Sequence, residues 1–174
     1  MQAWIGLCCL IGALGVLVAL SVIDLRVRLL PNTLVLTFAL LGLAFHIVTK
    51  NNFVNPLDMI IGAALGYGIL FSIRFIANHI YQQDTLGLGD VKLLAAGGLW
   101  LGPEGILAAM TIGAFAGMLH GLGVALYTAI KTKTRPNLSR LEVPAGPGFA
   151  VGIIAVGLYK FGYLESFGLS WLAL

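Results

Sequence analysis

Six long apolar runs, at roughly residues 3–23, 33–49, 56–80, 90–101, 104–130 and 145–163, leave this chain little choice but a bundle of membrane-spanning helices. Charged residues fall mostly between the runs. Only 10% of the 174 residues are charged and 59% are hydrophobic, against about 25% charged in ordinary soluble domains. A water-soluble fold of this length has no interior large enough to hide so much apolar sequence. The pattern predicts an all-α polytopic membrane protein, a single bundle of about six transmembrane helices over residues 1–174, because no linker, repeat or low-complexity tract divides it. The fourth run is short for a hydrocarbon layer of about 30 Å and is expected to lie tilted in the bundle or to cross only partly. Residues 164–174, with Phe167 and Trp171, suit the membrane interface.

The first run is about twenty residues long and no Lys or Arg precedes it. It is read as a retained span rather than a secretory signal. Adjacent Cys8 and Cys9 cannot easily bridge each other and form no zinc-binding Cys-x-x-Cys pair, so they are expected as small apolar fillers. Gly62 and Gly66, Gly113, Gly117 and Gly121, and Gly148 and Gly152 recur at four-residue spacing. Small residues at that spacing let helix backbones approach closely, either within the chain or between copies. The oligomeric state is left open.

The net charge of +3 does not form a basic patch with interleaved aromatics, so nucleic-acid binding is not expected. The basic residues instead carry an orientation signal. Arg26 and Arg28 fall in the first loop, Arg74 and Lys92 flank the third, and Lys131, Lys133, Arg135 and Arg140 occupy the fifth. Only Lys50 and Lys160 fall on the other side. The excess of Lys and Arg on one face predicts that this face is cytoplasmic. Both termini are then extracytoplasmic, and Asp24 and Asp90 share the cytoplasmic level.

These two acids are the candidates for chemistry. Asp90 follows Gly87-Leu88-Gly89 and opens an apolar helix, where aspartate is also a favoured cap. Asp24 comes at the end of the first run, where the helix dipole disfavours a negative charge. A structural Asp24 would need a partner such as Arg26 or Arg28. Ionisable residues in membrane segments are costly and mark working sites. Two carboxylates that meet across a water share one proton, so one acts as base on the water while the other protonates a peptide carbonyl. Gly87 and Gly89, lacking side chains, would let a substrate backbone approach. His46, His79 and His120 show no metal-ligand spacing and are expected in polar or interface roles. Asp84 is expected as a solvated loop acid or an attractor of basic substrate, Asp58 as a helix cap, and Ser21 has no histidine near it to activate it.

Three stretches carry a family resemblance. They are Ile23-Asp24-Leu25-Arg26-Val27-Arg28-Leu29-Leu30-Pro31-Asn32, then Gly87-Leu88-Gly89-Asp90-Val91-Lys92-Leu93-Leu94-Ala95-Ala96, then Val143-Pro144-Ala145-Gly146-Pro147-Gly148-Phe149-Ala150. In these the chain resembles the bacterial type IV prepilin peptidases, polytopic aspartic proteases of the GxGD class. The resemblance implies that Asp24 and Asp90 are the catalytic pair, with Gly87, Gly89, Lys92, Pro31 and Asn32 as supporting motif residues. It implies no cofactor and no metal. The implied partners, besides the lipid bilayer, are prepilins or pseudopilin-like secretion subunits with a short basic leader ending in glycine, cut at the cytoplasmic edge of the inner membrane. Ala145 stands where the family commonly has an aromatic residue, so substrate packing there is expected to differ. The chain opens directly on its first span, without the Cys-x-x-Cys segment that the family links to N-methylation. The resemblance is therefore to the short, peptidase-only form, with neither methyl transfer nor zinc expected.

Two alternatives stay in the protease class. A presenilin-type intramembrane protease would need a Tyr-Asp and a Pro-Ala-Leu motif, and neither occurs. An archaeal-type preflagellin peptidase is a nearer relative. Outside that class, membrane acids also serve proton- or cation-coupled transporters. Those favour acids near mid-membrane and two related halves with broken helices.

Overall fold

The computed structural model describes residues 2–84, 86–132 and 144–162. It contains five helices: α1 (Gln2–Val27), α2 (Asn32–Val48), α3 (Pro56–Tyr81), α4 (Leu88–Thr132) and α5 (Gly146–Phe161). Prolines help to open three of them. Pro31 is the extended residue before α2, Pro56 is the first residue of α3, and Pro147 lies in the first turn of α5, positions where a missing N–H removes no helical hydrogen bond. Gln82, in the left-handed conformation, ends α3.

Helices α1, α3 and α4 are long and apolar enough to cross a membrane. Much of the outer surface is also apolar, including Ile11, Leu14 and Val18 of α1, Leu36 and Leu40 of α2 and Phe75 of α3. So much exposed apolar surface marks contact with lipid rather than water. The architecture is that of an all-helical, polytopic membrane protein. Residues 164–174, and Lys133, Arg135 and Arg140, lie outside the described residues.

Five helices stand where about six spans were expected. The expected fourth and fifth spans, 90–101 and 104–130, are two arms of the single element α4. The arms meet at Gly102, whose φ of 71° and ψ of −175° are not helical, and at Pro103. That backbone region is accessible essentially to glycine alone. The chain folds back there. Ile106, beyond the break, reaches within 3.2 Å of where a Cβ on either Gly97 or Gly66 would stand, and Gly66 itself packs on Leu94. A straight helix would separate Leu94 from Ile106 by about 18 Å.

A break inside an apolar bundle leaves carbonyls without helical donors, and these must find others. Pro103 has no N–H for Leu99. The ring of His46 lies at the Leu99 carbonyl, and its Nε2 donates to Trp100 O at 3.1 Å. Lys160 Nζ donates to Leu101 O at 2.8 Å. Trp100 Nε1 donates to Phe38 O at 2.9 Å; around the break the rings of Phe38, Phe45, Phe53 and Trp100 stack, and Phe161 meets Phe45, Phe53 and Trp100 edge-on. His46, fully buried, thus closes the break.

The first arm of α4 is the centre of the bundle. Val91, Leu93, Leu94, Ala96, Trp100 and Leu101 are all buried. Helix α3 crosses it at backbone contact: a Cβ on Gly98 would stand 2.2 Å from Gly62 O, and one on Gly66 would stand 2.4 Å from Leu94 O. The second arm meets α5 in the same way, since a Cβ on Gly152 would stand 2.1 Å from Ala109 O and one on Gly148 would stand 2.7 Å from Gly113 O. The recurrent glycines at these positions therefore serve packing within the chain. Cys9 is buried on the inner face of α1 while Cys8 faces outward.

Gly98→Ala is expected to lower stability by about 1–3 kcal/mol through overpacking, whereas Gly68→Ala, with open space around it, is expected to be neutral or stabilising. Thermal unfolding in detergent separates the two; equal melting temperatures would contradict the backbone contact at Gly98.

Candidate active site

The inner stripe of α1 is Cys9, Ala13, Leu17, Leu20 and Asp24, all buried. Its three- and four-residue spacing carries Asp24 to the inner face in the last turn of the helix. Arg28 N donates to the Asp24 backbone carbonyl at 2.9 Å as the helix ends. The Asp24 side chain turns to another element, accepting at Oδ2 from the backbone N–H of Gly146 at 3.1 Å. Gly146 is the first residue of α5, so a carboxylate disfavoured at one helix C-terminus is stabilised at the N-terminus of another. A partner such as Arg26 or Arg28 was anticipated; the partner observed at the Asp24 carboxylate is a backbone N–H. A Cβ at Gly146 would stand 2.6 Å from the same Oδ2, so any larger residue there would displace Asp24.

Asp90 lies in the first turn of α4, two residues past the helix start at Leu88. It is therefore inside the helix rather than its cap. The dipole favours a negative charge there too. Asp90 is 7% exposed and Asp24 is 6% exposed, which leaves both carboxylates largely shut off from solvent. They lie close enough for the charge of Asp24 to act on Asp90. Asp90 Oδ1 has no hydrogen-bond partner among the described residues. A buried carboxylate oxygen left in that state is costly unless something else uses it.

The supporting motif residues lie at the start of α4 and in the segment from the α1–α2 loop to the start of α2 that packs against it. Lys92 Nζ donates to Asn32 Oδ1 at 2.9 Å, tying the start of α4 to the start of α2. The Pro31 carbonyl accepts from Leu34 N and Val35 N at 3.1 and 3.2 Å. A Cβ on Gly89 would stand 2.7 Å from Leu30 Cβ, so the space beside Gly89 is filled by the loop after α1 rather than left for another chain. A Cβ on Gly87 would lie 3.1 Å from Asp90 Oδ2. Gly89 thus lets the start of α4 close on the loop after α1, and Gly87 leaves room for the Asp90 carboxylate of its own segment.

The remaining candidates lie elsewhere. Asp84 is exposed but not merely solvated, because Arg74 Nη2 and Asn78 Nδ2 donate to its Oδ1 at 2.7 and 3.0 Å. Asp58 stands in the first turn of α3 and accepts from Asn55 Nδ2 at 3.3 Å. Ser21 Oγ donates to Leu17 O of its own helix. Two cavities, an apolar one of about 260 Å³ between α1 and α5 and a polar one of about 250 Å³ around Asp58, Glu104 and Lys160, are lined by neither acid.

Sequence reasoning undervalued Gly146 and Arg74. The run Pro-Ala-Gly-Pro-Gly opening a helix was the available signal for Gly146. Arg74 was signalled by a charge placed well inside an otherwise apolar run.

Comparison with known proteins gives this geometry a context. Residues 11–122, which include both acids and Lys92, match the model of the Type IV leader peptidase family. The chain is 35% identical over 136 residues to the prepilin leader peptidase/N-methyltransferase of Aeromonas hydrophila, covering 78% of this chain and 44% of that protein. It is 32% identical over 145 residues to the protein of the same name from Escherichia coli (strain K12), covering 83% and 58%. A third, from Dickeya chrysanthemi, is 37% identical over 112 residues. The chain thus spans about half the length of the curated relatives it matches. No solved structure matches it significantly. With the family model matching well over half of its residues, the chain belongs to the Type IV leader peptidase family.

Proposed function

We propose that this chain is a membrane aspartic endopeptidase that removes the leader peptide from type IV prepilins or pilin-like secretion subunits, with Asp24 and Asp90 as its catalytic pair. The observation that carries the reading is the buried Oδ1 of Asp90, which has no hydrogen-bond partner among the described residues, in a carboxylate close enough to a second buried acid, Asp24, for their charges to interact. Membership of the leader peptidase family supports the substrate class, as do the printed names of the relatives. Those names also carry N-methyltransferase; the matched family model, described by leader peptidase alone, favours the peptidase reaction for residues 11–122.

In this reading a water binds between the two carboxylates. One carboxylate takes a proton from it, and the resulting nucleophile attacks the scissile carbonyl carbon. The other, protonated, gives its proton to the carbonyl oxygen, and the tetrahedral intermediate collapses with proton return to the leaving amine. Gly146 N–H holds one Asp24 oxygen and fixes the carboxylate plane. The N-termini of α4 and α5 both face the pair and offset the negative charge that it carries. Lys92 with Asn32, and Leu30 packed on Gly89, hold the two halves in register.

The two arms of α4 cross as separate spans in this proposal, which makes six in all. The site faces the cytoplasm of a bacterial cell and the start of α1 lies on the opposite face. The support is electrostatic. Arg26, Arg28, Arg74, Lys92 and Lys131 belong to the end of the bundle that holds the acids, and Lys50 and Lys160 to the end that holds the Gly102 break. A basic leader would then wait beside the acids, with the apolar helix of the substrate entering the bilayer alongside.

Asp24→Asn and Asp90→Asn are each expected to lower processing of a co-expressed prepilin by about 10³-fold or more, since neither amide can exchange the proton; full processing by either variant overturns the dyad. In a variant with Cys8 and Cys9 replaced by Ala, Lys50→Cys is expected to react with an impermeant maleimide on intact spheroplasts. Lys131→Cys should react only after permeabilisation. The reverse pattern refutes the orientation.

A further inference from the structure

Arg74 is the residue of α3 that neither the fold nor the catalytic pair accounts for. It lies seven residues before the end of an apolar helix, where a guanidinium is costly to place. Its side chain is 17% exposed. It reaches along the helix toward the following loop and donates from two nitrogens at once. Nη1 donates to the backbone carbonyl of Leu86, and Nη2 donates to Asp84 Oδ1 at 2.7 Å. Asn78, one turn further along the same face, donates to the same Oδ1 at 3.0 Å.

The anchored carbonyl adjoins Gly87, and Asp90 follows four residues after Leu86. Two glycines in that interval leave the backbone more freedom than any other residues would. Asp90 Oδ1 has no partner among the described residues to steady the carboxylate. The contacts that do fix this segment come from either side. Leu30 and Asn32 hold Gly89 and Lys92 from the side of α1 and α2. Arg74 holds Leu86 from the side of α3. An exposed ion pair by itself contributes little to stability, and Asp84 is 81% exposed. The planar guanidinium adds geometry, since it fixes a carbonyl and a carboxylate in one orientation where a lysine ammonium would act as a single point charge.

We infer that Arg74 is a positioning residue for Asp90: by bridging Asp84 and the Leu86 carbonyl it fixes the glycine-rich entry to α4, and so sets where the Asp90 carboxylate stands relative to Asp24. The inference rests on the proposed aspartic peptidase reading. It assigns Arg74 no contact with substrate.

The test uses the full chain purified in detergent, with a prepilin as substrate. Wild-type protein must cleave it; failure there counts against the proposed function. Hydrogen exchange of the amides of residues 86–92 examines the positioning role without activity. With a cleaving wild type, Arg74→Ala is expected to lower kcat by about 10- to 100-fold, the loss that a displacement on the order of 1 Å produces, while KM stays within about twofold. The same amides should exchange faster, with the melting temperature little changed. Arg74→Lys should recover part of kcat, because one ammonium can reach one of the two acceptors. Asp84→Ala should lose less than Arg74→Ala, because the bond to Leu86 remains. The double variant should lose no more than Arg74→Ala alone, as expected of residues acting through one another. Wild-type kcat in Arg74→Ala overturns the inference. So does a loss of activity matched by global destabilisation with no local change in exchange, or strict additivity with Asp84→Ala.

Discussion

A helix broken inside an apolar bundle must hand its freed carbonyls to donors on other helices, and the closure of the break at Gly102 is the constraint on which this structure rests. Without the break, α4 would run as one rod of about 66 Å, far longer than a bilayer core. With it, the first arm becomes the buried centre of the bundle and the second folds back against α5. His46 and Lys160 come from α2 and α5, so the break also pins those helices to the same end. The aromatic rings around Trp100 fill the remaining volume. What holds the far end of the bundle thereby determines which way the first arm of α4 points, and its starting residues carry Asp90.

At the opposite end the same physics is used on charge. Two carboxylates are buried in a region where water cannot readily solvate them, and the available compensation is the partial positive charge of helix N-termini. Asp24 borrows the N-terminus of α5, while Asp90 lies in the first turn of α4. Glycine makes both arrangements sterically possible, at Gly146 against Asp24 and at Gly89 against Leu30. The site is therefore assembled from three chain segments that are distant in sequence: the end of α1 with the loop that follows it, the start of α4 and the start of α5.

Much of this was legible beforehand for identifiable reasons. Helix positions follow from runs of apolar residues bounded by Pro, Asn and Gly, and the structure keeps those boundaries closely. Asp24 and Asp90 stand out because charge is scarce in such a chain. The break at Gly102 was legible as a boundary between two runs, from Gly102-Pro103, but not as the fold-back of one continuous element. The role of His46 was not legible, because a histidine on an apolar helix reads the same whether it binds metal, faces a neighbour or closes a broken helix. The pairings made by Gly146 and Arg74 were hidden for a related reason. Their partners, Asp24 and the Leu86 carbonyl, are 122 and 12 residues away, and no local pattern encodes such a pairing.

By itself, then, the sequence determined the class of fold, the helix positions, the charge asymmetry between the two ends and the pair of acids worth attention. These depend on composition and on short-range order along the chain. The tertiary structure alone decided which face of each helix is inward. In α1 the buried stripe ending at Asp24 and the outward stripe of Ile11, Leu14, Val18, Val22 and Leu25 are both apolar, so hydropathy does not distinguish them. Lipid and protein interior are equally apolar solvents for a side chain, and the driving force that orients soluble helices is missing. Orientation is set instead by close packing at glycines, by the need to satisfy broken backbone at Gly102 and by the few polar atoms that must meet one another, and each of these exists only in three dimensions.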